Sequence, residues 1–159
     1  MSQKKVLQRI GEDTAYIFKG LHKTADSLSI EYKIYLTVPI VFSITTLGFD
    51  DYFNNLTLKI IAVLCLIFTF LILKNQNEYE KINTYRQLAD KYKNLYDKVE
   101  MYYYDNKEVD LIDLQNEKIK YSKELSEHSI SFAGRFWSKK VIENEMNLMW
   151  IKDDINEKT

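Results

Sequence analysis

"IIAVLCLIFTFLIL", Ile60 to Leu73, is fourteen residues without a charge, with Lys59 and Lys74 at its two ends. A membrane span wants about twenty apolar residues, whereas runs of about ten to fourteen are more often buried core. Which surroundings this stretch meets decides the fold. A second uncharged run, "IYLTVPIVFSITTLGF", Ile34 to Phe49, lies just upstream, and "DDYFNNLTLK" joins the two. Both are apolar around the whole helical circumference, where a surface helix of a soluble bundle keeps one polar face. Tyr32, Lys33 and Tyr35 precede the first run, Tyr52 and Phe53 lie between the runs, and Lys74 and Tyr79 follow the second. Aromatic and snorkelling cationic residues of this kind belong at headgroup depth. Length argues the other way, because a sixteen-residue run rises about 24 Å against a hydrocarbon core of about 30 Å. Extending the second run back to Phe53 gives it the reach and leaves Lys59 near the outer end, where its stem carries the ammonium to the headgroups. Local thinning or oligomerisation absorbs the remaining mismatch. The balance favours two membrane spans in a helical hairpin, with a soluble bundle core as the competing reading.

The rest of the chain is helix-prone. Four Gly and one Pro in 159 residues leave little material for a strand-and-turn architecture, so the expected fold class is all-α. A net charge of −1 sets up no basic field, which speaks against a nucleic-acid partner. The lone cysteine, Cys65, sits inside the apolar run and builds neither a disulfide framework nor a cysteine-ligated metal site within one chain. The N-terminal stretch has cations but no apolar core followed by a small-residue cleavage site, so it does not read as a secretory signal.

Three regions follow. Residues 1–33 read as an amphipathic N-terminal helix with Ile10, Ile17, Leu21, Ala25 and Leu28 at helical spacing. Residues 34–73 carry the two-span hairpin, and residues 74–159 a cytoplasmic helical region of about three helices. Lysines and arginines flank both outer ends of the hairpin, and Asp50 to Leu58 has none, so the positive-inside rule puts both termini in the cytoplasm. In the third region Ile82, Tyr85, Ala89, Tyr92, Tyr96, Val99 and Tyr103 alternate spacings of three and four, an apolar seam expected to continue the second span and to join copies into a homo-oligomer. Leu111, Leu114, Tyr121 and Leu125 keep the rhythm beyond "DNKE", interrupted by Lys118, which suggests an antiparallel pair of helices. "SISFAGRFWSKK" then opens a last helix, with Ser129 or Ser131 as N-cap and Phe136, Trp137, Val141, Leu148 and Ile151 on one face.

With its N-terminal helix, two close-set spans, "YRQLADKYKNLYDKV" (Tyr85 to Val99) and "SISFAGRFWSKK", the layout resembles the SLATT family, bacterial SMODS- and SLOG-associating two-transmembrane effector domains. The resemblance covers nearly the whole chain. It implies a membrane effector of antiphage, nucleotide-signalling immunity in the bacterial inner membrane, which oligomerises and permeabilises that membrane when a separate sensor protein or nucleotide signal activates it. A membrane scaffold that recruits a cytoplasmic partner without opening a pore is the alternative.

Several constellations carry competing readings. Pro39, Ser43 and Thr46 share one face of the first span and suit a pore lining or hinge, or else helix packing. Ala62, Cys65 and Thr69 form a similar small face on the second span, where packing is the simpler role. Asp50 and Asp51 could gather cations at a pore mouth, or form a solvated turn. Seven tyrosines from Tyr79 to Tyr104 could stack on a nucleotide, but bulky packing explains those at seam spacing more economically. Arg135, Lys139 and Lys140 beside Trp137 form a candidate patch for a phosphate or anionic lipid, against an ordinary amphipathic helix start. No catalytic set is apparent: His22 and His128 have no second ligand at metal spacing, there is no phosphate-cradling glycine loop, and Glu124 with His128 suggests a solvated face. No enzyme activity, cofactor or metal is expected.

Overall fold

The computed structural model describes residues 3–48, 54–105 and 111–144, and these are helical without any strand. Six helices follow one another: α1 (Gln3–Gly48), α2 (Asn55–Lys74), α3 (Gln76–Glu80), α4 (Ile82–Asp105), α5 (Leu111–Leu125) and α6 (Phe132–Asn144). Helix α1 continues through residues 33 and 34, where a boundary between an amphipathic helix and a first span was expected. Nothing in that stretch breaks a helix, since the first proline, Pro39, lies farther on and is itself accommodated within α1.

The chain divides into two compact units. One comprises residues 1–25 with 83–159, the other residues 26–82. The expected boundaries at 33 and 73 therefore shift outward in both directions, and the first 25 residues fold with the C-terminal helices.

In the first unit, the early part of α1 buries Leu7, Ile10, Thr14, Ala15, Phe18, Leu21 and Ala25, while Arg9, Asp13 and Tyr16 stay exposed. Ile17, expected on the buried face, is only half-buried, as is Leu28, which belongs to the second unit. Helix α4 buries Tyr85, Leu88, Ala89, Tyr92, Leu95, Tyr96, Val99 and Tyr103. The seam expected to join copies is thus the core of a single chain: six of its seven residues are buried without a second copy, and only Ile82 is half-buried. A three-four rhythm marks a face that must be covered and does not say by what. Phe18 against Tyr96, with ring centroids 5.6 Å apart, shows α1 supplying part of that cover. Leu95 and Val99 are fully buried, and each such side chain contributes about 1.5–3 kcal/mol through its loss of water contact.

Helices α4 and α5 pair antiparallel, as three contacts show: Lys91 with Glu124, Tyr92 with Tyr121 and Lys98 with Glu117. Lys118, which interrupts the apolar rhythm of α5, reaches Asp13 of α1 at 2.6 Å. The N-terminus of α6 is fixed by Ser131, whose hydroxyl accepts from the Gly134 N–H at 3.0 Å, as a capping residue does. Ser131 also donates its own N–H to the Thr24 hydroxyl of α1 at 3.1 Å.

The second unit holds the rest of α1, all of α2, and α3. Asn54 caps α2, its side-chain oxygen accepting from both the N–H and the hydroxyl of Thr57 at 2.8 Å. Twenty residues of α2 rise about 30 Å. Turns at Asn75 and Lys81 enclose the short α3, so α2 and α4 are separate helices and the expected continuity of the second run with the seam is interrupted. Glu31 accepts from the Tyr79 hydroxyl at 3.1 Å, Tyr35 meets Phe68 with centroids 5.7 Å apart, and the Cys65 thiol lies 3.9 Å from the Pro39 carbonyl. Residue numbers fall along one helix as they rise along the other, which is antiparallel pairing. No residue of α2 is buried.

Candidate functional site

The contrast between the two units is the first clue to function. In the first, large aliphatic side chains of α4 are sealed away. In the second, Leu66 is 70% exposed, Ile44 66% and Phe70 65%, with Ile30, Ile34, Ile40, Val41, Ile60, Val63 and Leu73 also exposed. Both apolar helices are long and apolar enough to cross a membrane. An apolar surface of this extent marks an interaction or membrane face, because soluble monomers rarely expose one.

Within the second unit the two small-residue faces meet. Ser43 and Thr46 from α1 and Ala62, Cys65 and Thr69 from α2, with Leu58, Ile61 and Leu66, line a cleft of about 550 Å³. The local hydrogen bonds explain how polar atoms are tolerated there. Ser43 donates to the Pro39 carbonyl at 2.8 Å, Thr46 to the carbonyls of Phe42 and Ser43 at 3.0 Å, and Thr69 to the Cys65 carbonyl at 2.9 Å. Each hydroxyl proton is thereby used on its own helix, while the oxygens keep lone pairs able to accept. Among the described residues no Asp, Glu, Lys, Arg or His lines the cleft, which can admit a packing helix or weakly coordinate water. Asp50 and Asp51, the candidate pore mouth, lie outside the described residues.

The third candidate group sits on α6. Gly134, Ser138, Val141 and Ile142 are buried, whereas Phe132 is 86% exposed, Phe136 59% and Trp137 47%. The face expected to bury Phe136 and Trp137 together with Val141 is therefore split: the small and aliphatic residues turn inward and the aromatic ones outward. Leu148 and Ile151 lie outside the described residues. The reason for the split is the close approach of α6 to α1, which only small residues permit. A Cβ on Gly134 would stand 2.2 Å from the Thr24 hydroxyl and 2.6 Å from the Gly20 carbonyl oxygen. Arg135, Lys139 and Lys140 are exposed beside the aromatics, and the Lys140 ammonium lies 5.1 Å from the centre of the Trp137 ring. Phe136 and Trp137 pack edge to face.

Four tyrosines of α4, Tyr85, Tyr92, Tyr96 and Tyr103, are buried packing groups, whereas Tyr104 is exposed. Tyr92 is fully buried, its hydroxyl has no hydrogen-bond partner, and burial followed by the nearby Glu124 raises its pKa to about 12. Burial, then Glu100, raises Tyr96 as well. Tyr121 donates to Glu117 at 2.7 Å, and that hydrogen bond, with burial, raises it to about 12. None of these three rings is presented for stacking on a ligand.

The histidines do not come together. His22 faces Asp90 at 3.6 Å, and His128 packs edge-on to Tyr85 while Glu124 pairs with Lys91. Among the described residues no cluster of three His, Cys, Asp or Glu could hold a metal ion. A groove of about 460 Å³ between α1 and α5, lined by Val6, Ile10, Ile119 and the Asp13–Lys118 pair among others, went unnoticed in the sequence. Its walls come from helices about a hundred residues apart, and no local pattern announces such a pairing.

Compared with protein-family models, curated proteins and solved structures, the chain matches none.

Proposed function

We propose that the chain is a membrane effector of the kind the SLATT resemblance implies: residues 34–73 form a two-span hairpin in the bacterial inner membrane, both termini are cytoplasmic, and assembly of several copies permeabilises the bilayer. The reading rests on one observation, the unrelieved apolar exposure of α2 and the second half of α1, in contrast to α4, whose apolar face is buried. In water, that exposure would be an aggregation hazard; in lipid it is the required surface. Because the α4 seam is consumed inside one chain, assembly falls to the lipid-facing sides of the hairpin and to the Ser43–Thr69 cleft, where small residues let another helix approach closely. Activation is then a population shift, in which a separate sensor or nucleotide signal favours the assembled state by binding it better.

The alternative, a membrane scaffold that opens nothing, draws on a specific observation: the cleft hydroxyls are already bonded to their own backbones, as in helices that merely pack. Dye-loaded vesicles carrying the full chain at increasing density separate the two. Leakage that rises steeply with density, and that Ser43→Leu with Thr46→Leu abolishes while membrane insertion persists, supports the effector. Vesicles that stay sealed at every density with the presumed activating partner present, together with cells that keep their membrane potential when chain and partner are overproduced, leave only the scaffold.

A further inference from the structure

We propose that the outward face of α6 is a docking surface for an anionic bilayer, a second membrane contact distinct from the spans and made by an interfacial helix. The inference rests on the reading of residues 34–73 as membrane-embedded only for its geometry of delivery; the face itself is argued from α6 alone.

Three features carry it. First, the helix is packed contrary to the rule for soluble proteins: its bulky aromatics, Phe132, Phe136 and Trp137, are in solvent, and its small residues, Gly134 and Ser138, are in the core. That arrangement is held firmly, since Ser131 and Gly134 dock on Thr24 and Gly20 too closely for α6 to rotate. The aromatic face cannot turn inward. Second, α6 carries three cations, Arg135, Lys139 and Lys140, against one acid, Glu143, in a chain whose net charge is −1. Aromatic rings flanked by lysine and arginine are the composition of helices that lie in the headgroup layer, where Trp and Phe enter the acyl boundary and the cations meet lipid phosphates. A protein partner would be met by an apolar face with fewer charges at its centre. Third, the surface is within reach. Only nine residues of chain lie between Thr24, on which α6 docks, and Ile34. Tethering at that range makes contact with the bilayer effectively intramolecular and lets a weak surface affinity suffice.

The test uses the full chain in nanodiscs, with Trp150→Phe so that Trp137 is the sole indole reporter. Brominated lipids quench an indole that sits at the acyl boundary. In discs containing phosphatidylglycerol, Trp137 emission should shift to the blue and be quenched; in purely phosphatidylcholine discs both effects should shrink. Each cation near an anionic surface is worth about fivefold in binding, so Arg135→Gln with Lys139→Gln should reduce the docked-to-free ratio by about 25-fold, and high salt should do likewise. Equal quenching in both kinds of disc, or none in either, overturns the proposal. So does a blue shift that depends on protein concentration and not on lipid charge, which would mark the face as a contact between copies. Extraction with carbonate reports separately on the spans. If the chain proves extractable, salt-sensitive flotation with phosphatidylglycerol vesicles still decides the α6 question, flotation lost in the double variant supporting it and no flotation overturning it.

Discussion

Gly134 shows how one missing methyl group positions an element. The Cβ of an alanine there would meet the Thr24 hydroxyl at 2.2 Å and the Gly20 carbonyl at 2.6 Å, and the second of these is backbone that cannot step aside. Overpacking of this kind costs about 1–3 kcal/mol, of which the better helix propensity of alanine returns up to about 1. Gly134→Ala should therefore lower the thermal midpoint of the first unit, followed by circular dichroism in detergent. Gly48→Ala, which meets nothing within 4 Å, should not; equal effects of the two would mean that α6 does not approach α1 in this way. The sequence told that a helix starts near Ser131, because capping is a local matter between a side chain and the N–H three residues on. The role of Gly134 was not legible there, since it depends on which helix, more than a hundred residues away in the chain, comes to lie against it. The outward turn of Phe136 and Trp137 was missed for the same reason.

Between elements, α4 and α5 are clamped by a small charged group whose pH response has a definite sign. Lys98 Nζ donates to both carboxylate oxygens of Glu117, at 3.0 and 2.9 Å, and Tyr121 donates to one of them. Burial pushes the Glu117 pKa up, but these hydrogen bonds and the Lys98 charge outweigh it and hold the carboxyl below its ordinary 4.5. A carboxyl depressed in the folded state binds fewer protons there than in the unfolded chain, so its stabilisation is present above about pH 4.5 and is lost as the pH falls through the folded-state value. Melting of the α4–α5 unit should therefore shift to lower temperature as the pH falls below about 4.5, and Glu117→Gln should flatten that part of the profile. The loss at neutral pH should be under about 1 kcal/mol, in line with a partly exposed pair. A profile unchanged by the substitution would show that Lys98 and Glu117 are not paired in solution. The sequence made the apolar rhythm of both helices plain, including its interruption at Lys118. It left open what covers the rhythm, and only packing revealed that α1 and α5 do so before any second copy can.

For the molecule as a whole, the issue is whether exposed apolar residues mean lipid, and one substitution puts opposite demands on the two answers. Leu66 lies near the middle of α2 and is 70% exposed. On a protein surface in water, Leu66→Lys is a benign change within about 0.5 kcal/mol, and it improves solubility by breaking an apolar patch. At the centre of a span, the same ammonium is too far from either headgroup layer to snorkel cheaply and costs about 2.5–3.5 kcal/mol of insertion free energy. The twenty residues of α2 match a hydrocarbon core of about 30 Å with no length to spare, so sliding the helix to free the lysine would draw Lys59 or Lys74 inward. We therefore expect Leu66→Lys to cut the carbonate-resistant membrane fraction sharply, and Lys74→Leu, at the boundary, to leave it unchanged. If Leu66→Lys instead raised the yield of a soluble, fully helical chain, the hairpin would be meeting water, and the membrane reading, with the permeabilising activity built on it, would fall.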